Sequence, residues 1–192
     1  MKKFFAVVVA AFAVTLSGYA GRIDDLRTAA ERGDVKAQLS LAECYVFGGG
    51  VTQDFVEAVK WYRKAAEQGN AFAQLWLADC YYRGDGVTKD FVEAAKWYRK
   101  AAEQGEAKAQ LRLARCYSRG DGVREDLTEA VKWYRKAAEQ GDAEAQRNLG
   151  FCYYDGEGVP KDRAEAVKWL RKAAAQGDKV AKTALKMFGE TW

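Results

Sequence analysis

Residues 69–104 read GNAFAQLWLADCYYRGDGVTKDFVEAAKWYRKAAEQ, and residues 105–140 read GEAKAQLRLARCYSRGDGVREDLTEAVKWYRKAAEQ. The two stretches agree at 26 of 36 positions, which is internal duplication rather than chance. The period extends in both directions. Gly33, Gly69, Gly105, Gly141 and Gly177 are each 36 residues apart, as are Trp61, Trp97, Trp133 and Trp169, and Cys44, Cys80, Cys116 and Cys152. A fixed period of this size predicts a solenoid, in which each unit buries its apolar face only by stacking on its neighbours.

Each unit divides into two helices. In AFAQLWLADCYYRG, Ala73, Leu77, Cys80 and Tyr81 recur at i, i+4, i+7 and i+8, one helical stripe. Gly84 ends that helix, because glycine takes the left-handed conformation needed just past a helix end. After the GDGV loop, Asp90 with Glu93 three residues on reads as a capping box with Asp in the Ser/Thr place. The same Asp-x-x-Glu recurs at 54/57, 126/129 and 162/165. Ala94, Trp97, Tyr98, Ala101 and Ala102 form the buried stripe of the second helix, the alanines allowing close helix approach. Residues 22–32 match the end of a second helix, and 178–188 match a first helix with Ala181 and Leu185 in register. The predicted fold is therefore an all-α solenoid of ten helices. It comprises repeats at about 33–68, 69–104, 105–140 and 141–176, with capping helices at about 22–32 and 178–188.

Units of the form A-Q-x-x-L-A-x-x-Y-x-x-G-x-G-V-x-x-D-x-x-E-A-x-K-W-Y-x-K-A-A-E-Q-G resemble Sel1-like repeats, relatives of the tetratricopeptide repeat, over residues 22–188. The resemblance implies a right-handed superhelix with the first helix of each pair lining a concave face. It also implies an adaptor or scaffold that binds a protein or peptide partner, with no catalytic residues to carry over. A cysteine-rich branch of the family is linked to β-lactams, so a β-lactam- or peptidoglycan-fragment-binding or hydrolysing protein is the alternative.

Specificity belongs to exposed positions that differ between units. At about 100° per residue, the side of the first helices opposite the core holds Phe72, Leu75, Trp76, Asp79, Tyr82 and Arg83 in one unit. In the next it holds Leu111, Arg112, Arg115, Ser118 and Arg119, and in the last Arg147, Asn148, Phe151, Tyr154 and Asp155. The expected groove sets Trp76, Tyr82, Phe151 and Tyr154 around a basic centre of Arg112, Arg115 and Arg119, suited to a carboxylate-bearing ligand. Trp76 and Phe151 on such a face cost solubility without structural return. The outer lysines Lys60, Lys64, Lys96, Lys100 and Lys136 repeat faithfully and read as a solvated face.

The chain has no histidine, which removes the usual general base near neutral pH, every Ser-His or Cys-His arrangement and most zinc sites. No cofactor or metal is expected. Equivalent cysteines in successive units stand about 10 Å apart, beyond the ~7 Å a disulfide spans, so all four read as small buried hydrophobes. A penicillin-recognising hydrolase needs Ser-x-x-Lys; beyond residue 20 there are only Ser40 and Ser118, neither with lysine three residues on. Thr183-Ala-Leu-Lys186 has a similar spacing, but it lies in the end-capping helix. Arg83-Gly84-Asp85 spells an adhesive tripeptide that recurs at 119–121 and 32–34 because fixed glycines sit among charges. The GDG loop lacks the strand and the Gly-Lys-Ser/Thr end of a phosphate-binding loop.

Lys2 and Lys3, the apolar run 4–16 and a small-residue end at Gly18 and Ala20 form a secretory signal over residues 1–20. Tyr19 stands where a lipoprotein would carry its cysteine. The expectation is a periplasmic or secreted monomer over 21–192, without membrane insertion after cleavage. Cleavage lowers the formal charge from +4 to +2, too near neutral to argue for nucleic acid.

Overall fold

The computed structural model of the chain describes residues 23–191. The expected signal segment 1–20 lies outside the described residues, as does Arg22 at the start of the first capping helix. Among the described residues there are ten helices and no strand, in two compact units that meet in sequence between Lys89 and Asp90.

The first unit holds α1 (helical over 23–31), α2 (Val35–Phe47), α3 (Phe55–Glu67) and α4 (Ala71–Arg83), with α3 packed on both α2 and α4. The second holds α5 (Phe91–Glu103), α6 (Ala107–Arg119), α7 (Leu127–Glu139), α8 (Ala143–Asp155), α9 (Arg163–Ala175) and α10 (Lys179–Met187). In it each helix packs against its neighbours in sequence. Even-numbered helices are the first of a pair and odd-numbered ones the second. The ten-helix expectation holds.

The helix starts show why these residues fold locally. Asp34, Asn70, Asp142 and Asp178 each accept a hydrogen bond from the backbone N–H three residues on, capping α2, α4, α8 and α10. Glu106 holds the same position before α6 and makes no such bond. The second helices correct one expectation. Asp54, Asp90, Asp126 and Asp162 do cap them, accepting from Glu57, Glu93, Glu129 and Glu165 backbone N–H groups. At three of them the reciprocal half of the box is replaced. The backbone N–H of Asp54, Asp126 and Asp162 instead donates, at 2.9 Å, to the carbonyls of Tyr45, Tyr117 and Tyr153 in the preceding helix. The glutamate side chains are thus released to pair with Lys60, Lys96, Lys132 and Lys168 one turn on.

Fully buried leucines at 41, 77, 113, 149 and 185 anchor the first helices, each side chain contributing about 1.5–3 kcal/mol by burial. Alanines on the second helices, such as Ala65, Ala101, Ala137 and Ala173, are equally buried, all at 0% exposure. The last pair departs from the rest in a matched way. Leu170 stands where Tyr62, Tyr98 and Tyr134 stand in earlier units, and Gly150 stands where Ala78 and Ala114 do. A Cβ on Gly150 would lie 2.8 Å from Leu170 Cγ, so the branched leucine and the bare glycine fit each other.

Two glycines fix the connection between helices. Gly84 closes α4 at φ +85°, its N–H donating to the Cys80 carbonyl. Gly122, at φ +72°, passes so close to the start of α5 that a Cβ would lie 1.9 Å from the Phe91 carbonyl oxygen.

A buried polar ladder accompanies the apolar core. Gln38, Gln74, Gln110 and Gln146 are at most 5% exposed. Their Nε2 groups donate to the carbonyls of Ala30, Ala66, Ala102 and Ala138. Their Oε1 atoms are used too: Gln68 donates to Gln38, Gln140 to Gln110 and Gln176 to Gln146. A buried amide so satisfied costs little, whereas an unpaired one costs about 1–3 kcal/mol.

Candidate functional site

The faces expected to bind a partner lie on the first helices. In the first unit α4 carries Phe72, Trp76, Asp79, Tyr82 and Arg83. Phe72 is 40% exposed and Arg83 is exposed, while Trp76, Asp79 and Tyr82 are half-buried. Trp76 has a structural return after all. Its ring stacks on the fully buried Tyr62 of α3 at 5.9 Å and 5°, and Phe72 meets it edge-on at 6.0 Å. Leu75 and its counterpart Leu111, placed by helical phase on the open side, are buried at 5% each. For α6 the reason is plain: α5 and α7 pack it from two sides, which widens its buried arc beyond one stripe.

In the second unit, α6 places Lys108, Arg112, Arg115 and Arg119 at i, i+4, i+7 and i+11, a basic stripe along one face. The equivalent stripe of α8 is Glu144, Asn148, Phe151 and Asp155. The basic centre needs one correction. Arg115 is ion-paired with Glu144, which also accepts from Arg147 Nη2 at 2.8 Å. Arg147 Nη1 in turn reaches Asp178 Oδ2 at 2.8 Å, so a charge relay joins α6, α8 and α10. This pairing lay 29 residues away in sequence, beyond the range of a single helix's periodicity. Beside it, Ser118 Oγ donates to the Arg115 carbonyl and lies 3.4 Å from the Tyr134 hydroxyl. Burial pushes the Tyr134 phenol up, while the Ser118 hydrogen bond and the Arg115 and Arg119 charges pull the other way.

The three sequence-derived residues Phe151, Tyr154 and Asp155 come together with α10. Between α8 and α10 runs a groove of about 450 Å³, lined also by Lys179, Val180, Thr183, Ala184, Met187 and Phe188. Its walls are largely apolar. Phe151 and Phe188 pack on the buried cluster around Leu170 and Leu185, and the Tyr154 and Phe188 rings stack at 4.1 Å. Val180 and Met187 remain 52% and 80% exposed. Reading α10 only as a cap leaves this wall out. The signal is the trio Val180, Ala184 and Met187 at i, i+4 and i+7, one apolar stripe.

The repeated lysines are more than solvated. Lys64, Lys100, Lys136 and Lys172 lie 3.9–4.3 Å from the ring centroids of Trp61, Trp97, Trp133 and Trp169, covering the outer face of each indole. All four cysteines are free thiols. Cys80 and Cys116 are buried as expected, but Cys44 and Cys152 are only partly so. Burial pushes the Cys80 and Cys116 thiols up to about 12 and that of Cys152 to about 11, away from the thiolate a reactive cysteine needs. Ser118 and Thr183 spend their hydroxyls on the carbonyls of Arg115 and Lys179. Among the described residues there is no group of three or more metal-ligating side chains, and no helix long and apolar enough to cross a membrane.

The Sel1 repeat model matches residues 35–70, 71–106, 107–142 and 143–178, which is most of the sequence. The chain belongs to the Sel1 repeat family. Among solved structures, a protective antigen present in uropathogenic Escherichia coli strains, displaying an SLR fold, is 42% identical with a TM-score of 0.82. That match covers 85% of this chain and 35% of the antigen, so the chain spans about a third of its length. A Sel1 repeat protein from Oxalobacter formigenes is 40% identical at TM-score 0.80, covering 84% of this chain and 67% of that one. Helicobacter pylori cysteine rich protein B is 30% identical at TM-score 0.55, covering 72% and 99%. No curated protein is significantly similar to the chain. Sel1 repeat proteins are in general protein-interaction scaffolds, and the repeats described above have that architecture.

Proposed function

We propose that this chain is a non-enzymatic interaction scaffold of the bacterial cell envelope, exported by its N-terminal segment and acting as a monomer. It binds a protein or peptide partner on the exposed faces of its first helices. One observation supports this most directly. Units that are otherwise near copies diverge on the exposed stripe of those helices. It is Phe72, Trp76 and Asp79 in α4 against Lys108, Arg112 and Arg115 in α6, with an arginine closing the stripe in both, at 83 and 119. Positions that build the core or pair Lys with Trp repeat with little change, so the divergence falls where a partner would be recognised.

The test is retention of an envelope protein by the tagged chain, compared with Phe72→Ala/Arg83→Glu and Arg112→Glu/Arg119→Glu variants. Loss of a specific partner with either pair is expected. Retention indifferent to both, or no specific partner at all, would refute the reading.

A further inference from the structure

The second unit sets a basic stripe beside an apolar groove, and the two are chemically segregated. On α6, Lys108 and Arg119 are exposed and carry the stripe, whereas Arg112 is half-buried and Arg115 is paired with Glu144. On the far side of α8, the groove against α10 is walled by Phe151, Tyr154, Val180, Met187 and Phe188. Asp155 and Lys179 both line that groove, so it carries no net formal charge and its apolar walls decide what enters. The surplus positive charge lies on α6.

We infer that this unit takes an extended protein segment with one large apolar side chain and, several residues away, a run of acidic residues. The apolar side chain enters the α8–α10 groove and the acidic run crosses α6. This rests on the scaffold reading above and names the partner chemistry for one of its faces. A groove of about 450 Å³ accommodates one aromatic or branched side chain with its neighbouring backbone. A helix is about 10 Å across, so α6 lies roughly 15 Å from the centre of the groove. At about 3.3 Å per extended residue, four or five residues separate the anchor from the acids. Arginine and lysine on one helix face supply forked and point-charge donors to carboxylates, and the exposed setting makes the attraction sensitive to salt.

The experiment titrates the purified chain into a fluorescein-labelled peptide of one tryptophan, a glycine-serine spacer of about four residues and three glutamates, read by polarisation. Saturable binding that weakens about tenfold between ~50 and ~300 mM salt is expected. Replacing the glutamates by lysines, or the tryptophan by alanine, should each weaken it at least about tenfold. Lys108→Glu/Arg119→Glu should abolish the preference for glutamate over glutamine peptides and keep the tryptophan preference. Met187→Glu, at a position 80% exposed and so harmless to folding, should do the reverse. Equal binding of the lysine or alanine peptide overturns the inference, as does no binding by the first peptide. If an envelope partner is still retained through the α4 face, the scaffold reading stands and only this inference fails. If neither is seen, both fail.

Discussion

Arg115 on α6 is ion-paired with Glu144 in the first turn of α8, and through Glu144 and Arg147 it is tied to Asp178 at the cap of α10. Three successive first helices of the second unit are thus held at fixed spacing by charges that lie on the proposed binding face itself. The arginine that a simple stripe would offer to a ligand is already occupied.

Neutralising that link should loosen the unit modestly. The Arg115 and Glu144 side chains are 25% and 36% exposed, which places the pair near the surface regime. A double-mutant cycle of Arg115→Met and Glu144→Gln, measured by urea unfolding, is expected to give a coupling of about 0.5–1 kcal/mol. The coupling should shrink in ~1 M salt. A coupling of zero at low salt would show the pair to be idle.

Glu106 offers a gain. Its backbone, at φ −65° and ψ 109°, already matches that of Asp34 at −65° and 112°, yet its side chain makes no cap bond. Glu106→Asp should add about 0.5–1 kcal/mol, seen as a higher urea midpoint with unchanged slope. Asp178→Ala, which removes an existing cap, should lower it.

Glycines of similar φ should separate by their surroundings. Gly141, at φ +96°, has nothing within 4 Å of a would-be Cβ, so Gly141→Ala should cost only the ~1–2 kcal/mol of a left-handed alanine. Gly122→Ala forces a Cβ onto the Phe91 carbonyl and should cost well over that, or prevent folding. Equal costs in thermal unfolding would contradict the close approach.

The thiols give a pH signature. Burial raises Cys80 and Cys116 from an ordinary 9.0 to about 12, so the folded state favours the neutral thiol. That stability is fully present below pH 9 and is lost as the pH climbs from there toward 12. The urea midpoint should therefore fall between about pH 8 and pH 10.5, and fall less steeply in Cys80→Ala/Cys116→Ala. In native protein at about pH 8, Cys80 and Cys116 should resist alkylation that Cys44 undergoes, and all four cysteines should react once unfolded. An equal rate at Cys44 and Cys116 would contradict the burial.

Whatever repeats every 36 residues was legible in the sequence: the ten helices, the glycine stops, the aspartate caps and the alanine contacts. What depends on contact between repeats was not. The Asp-x-x-Glu spacing reads locally as a full capping box, but the tyrosine carbonyl of the previous helix takes the N–H first. Trp76 looks like a bare surface ring until Tyr62 is brought beneath it. The α8–α10 groove needs two helices 36 residues apart, and the repeat pattern marks only α8 as part of a binding face. The glutamine ladder was readable in principle, as a polar residue recurring at 38, 74, 110 and 146 inside apolar stripes.

That ladder also constrains how such a protein can change its length. Gln38 is met by Gln68, Gln110 by Gln140 and Gln146 by Gln176, always 30 residues on and always across a helix pair. A deletion that cuts between the two members strands a buried amide, whereas removing 36 residues together restores every partnership. Inheritance by whole-unit gain and loss is the inexpensive route, and single-residue drift in helix length is the costly one. Tracts of near-identical units, such as 69–104 and 105–140, are what that asymmetry leaves behind in a genome.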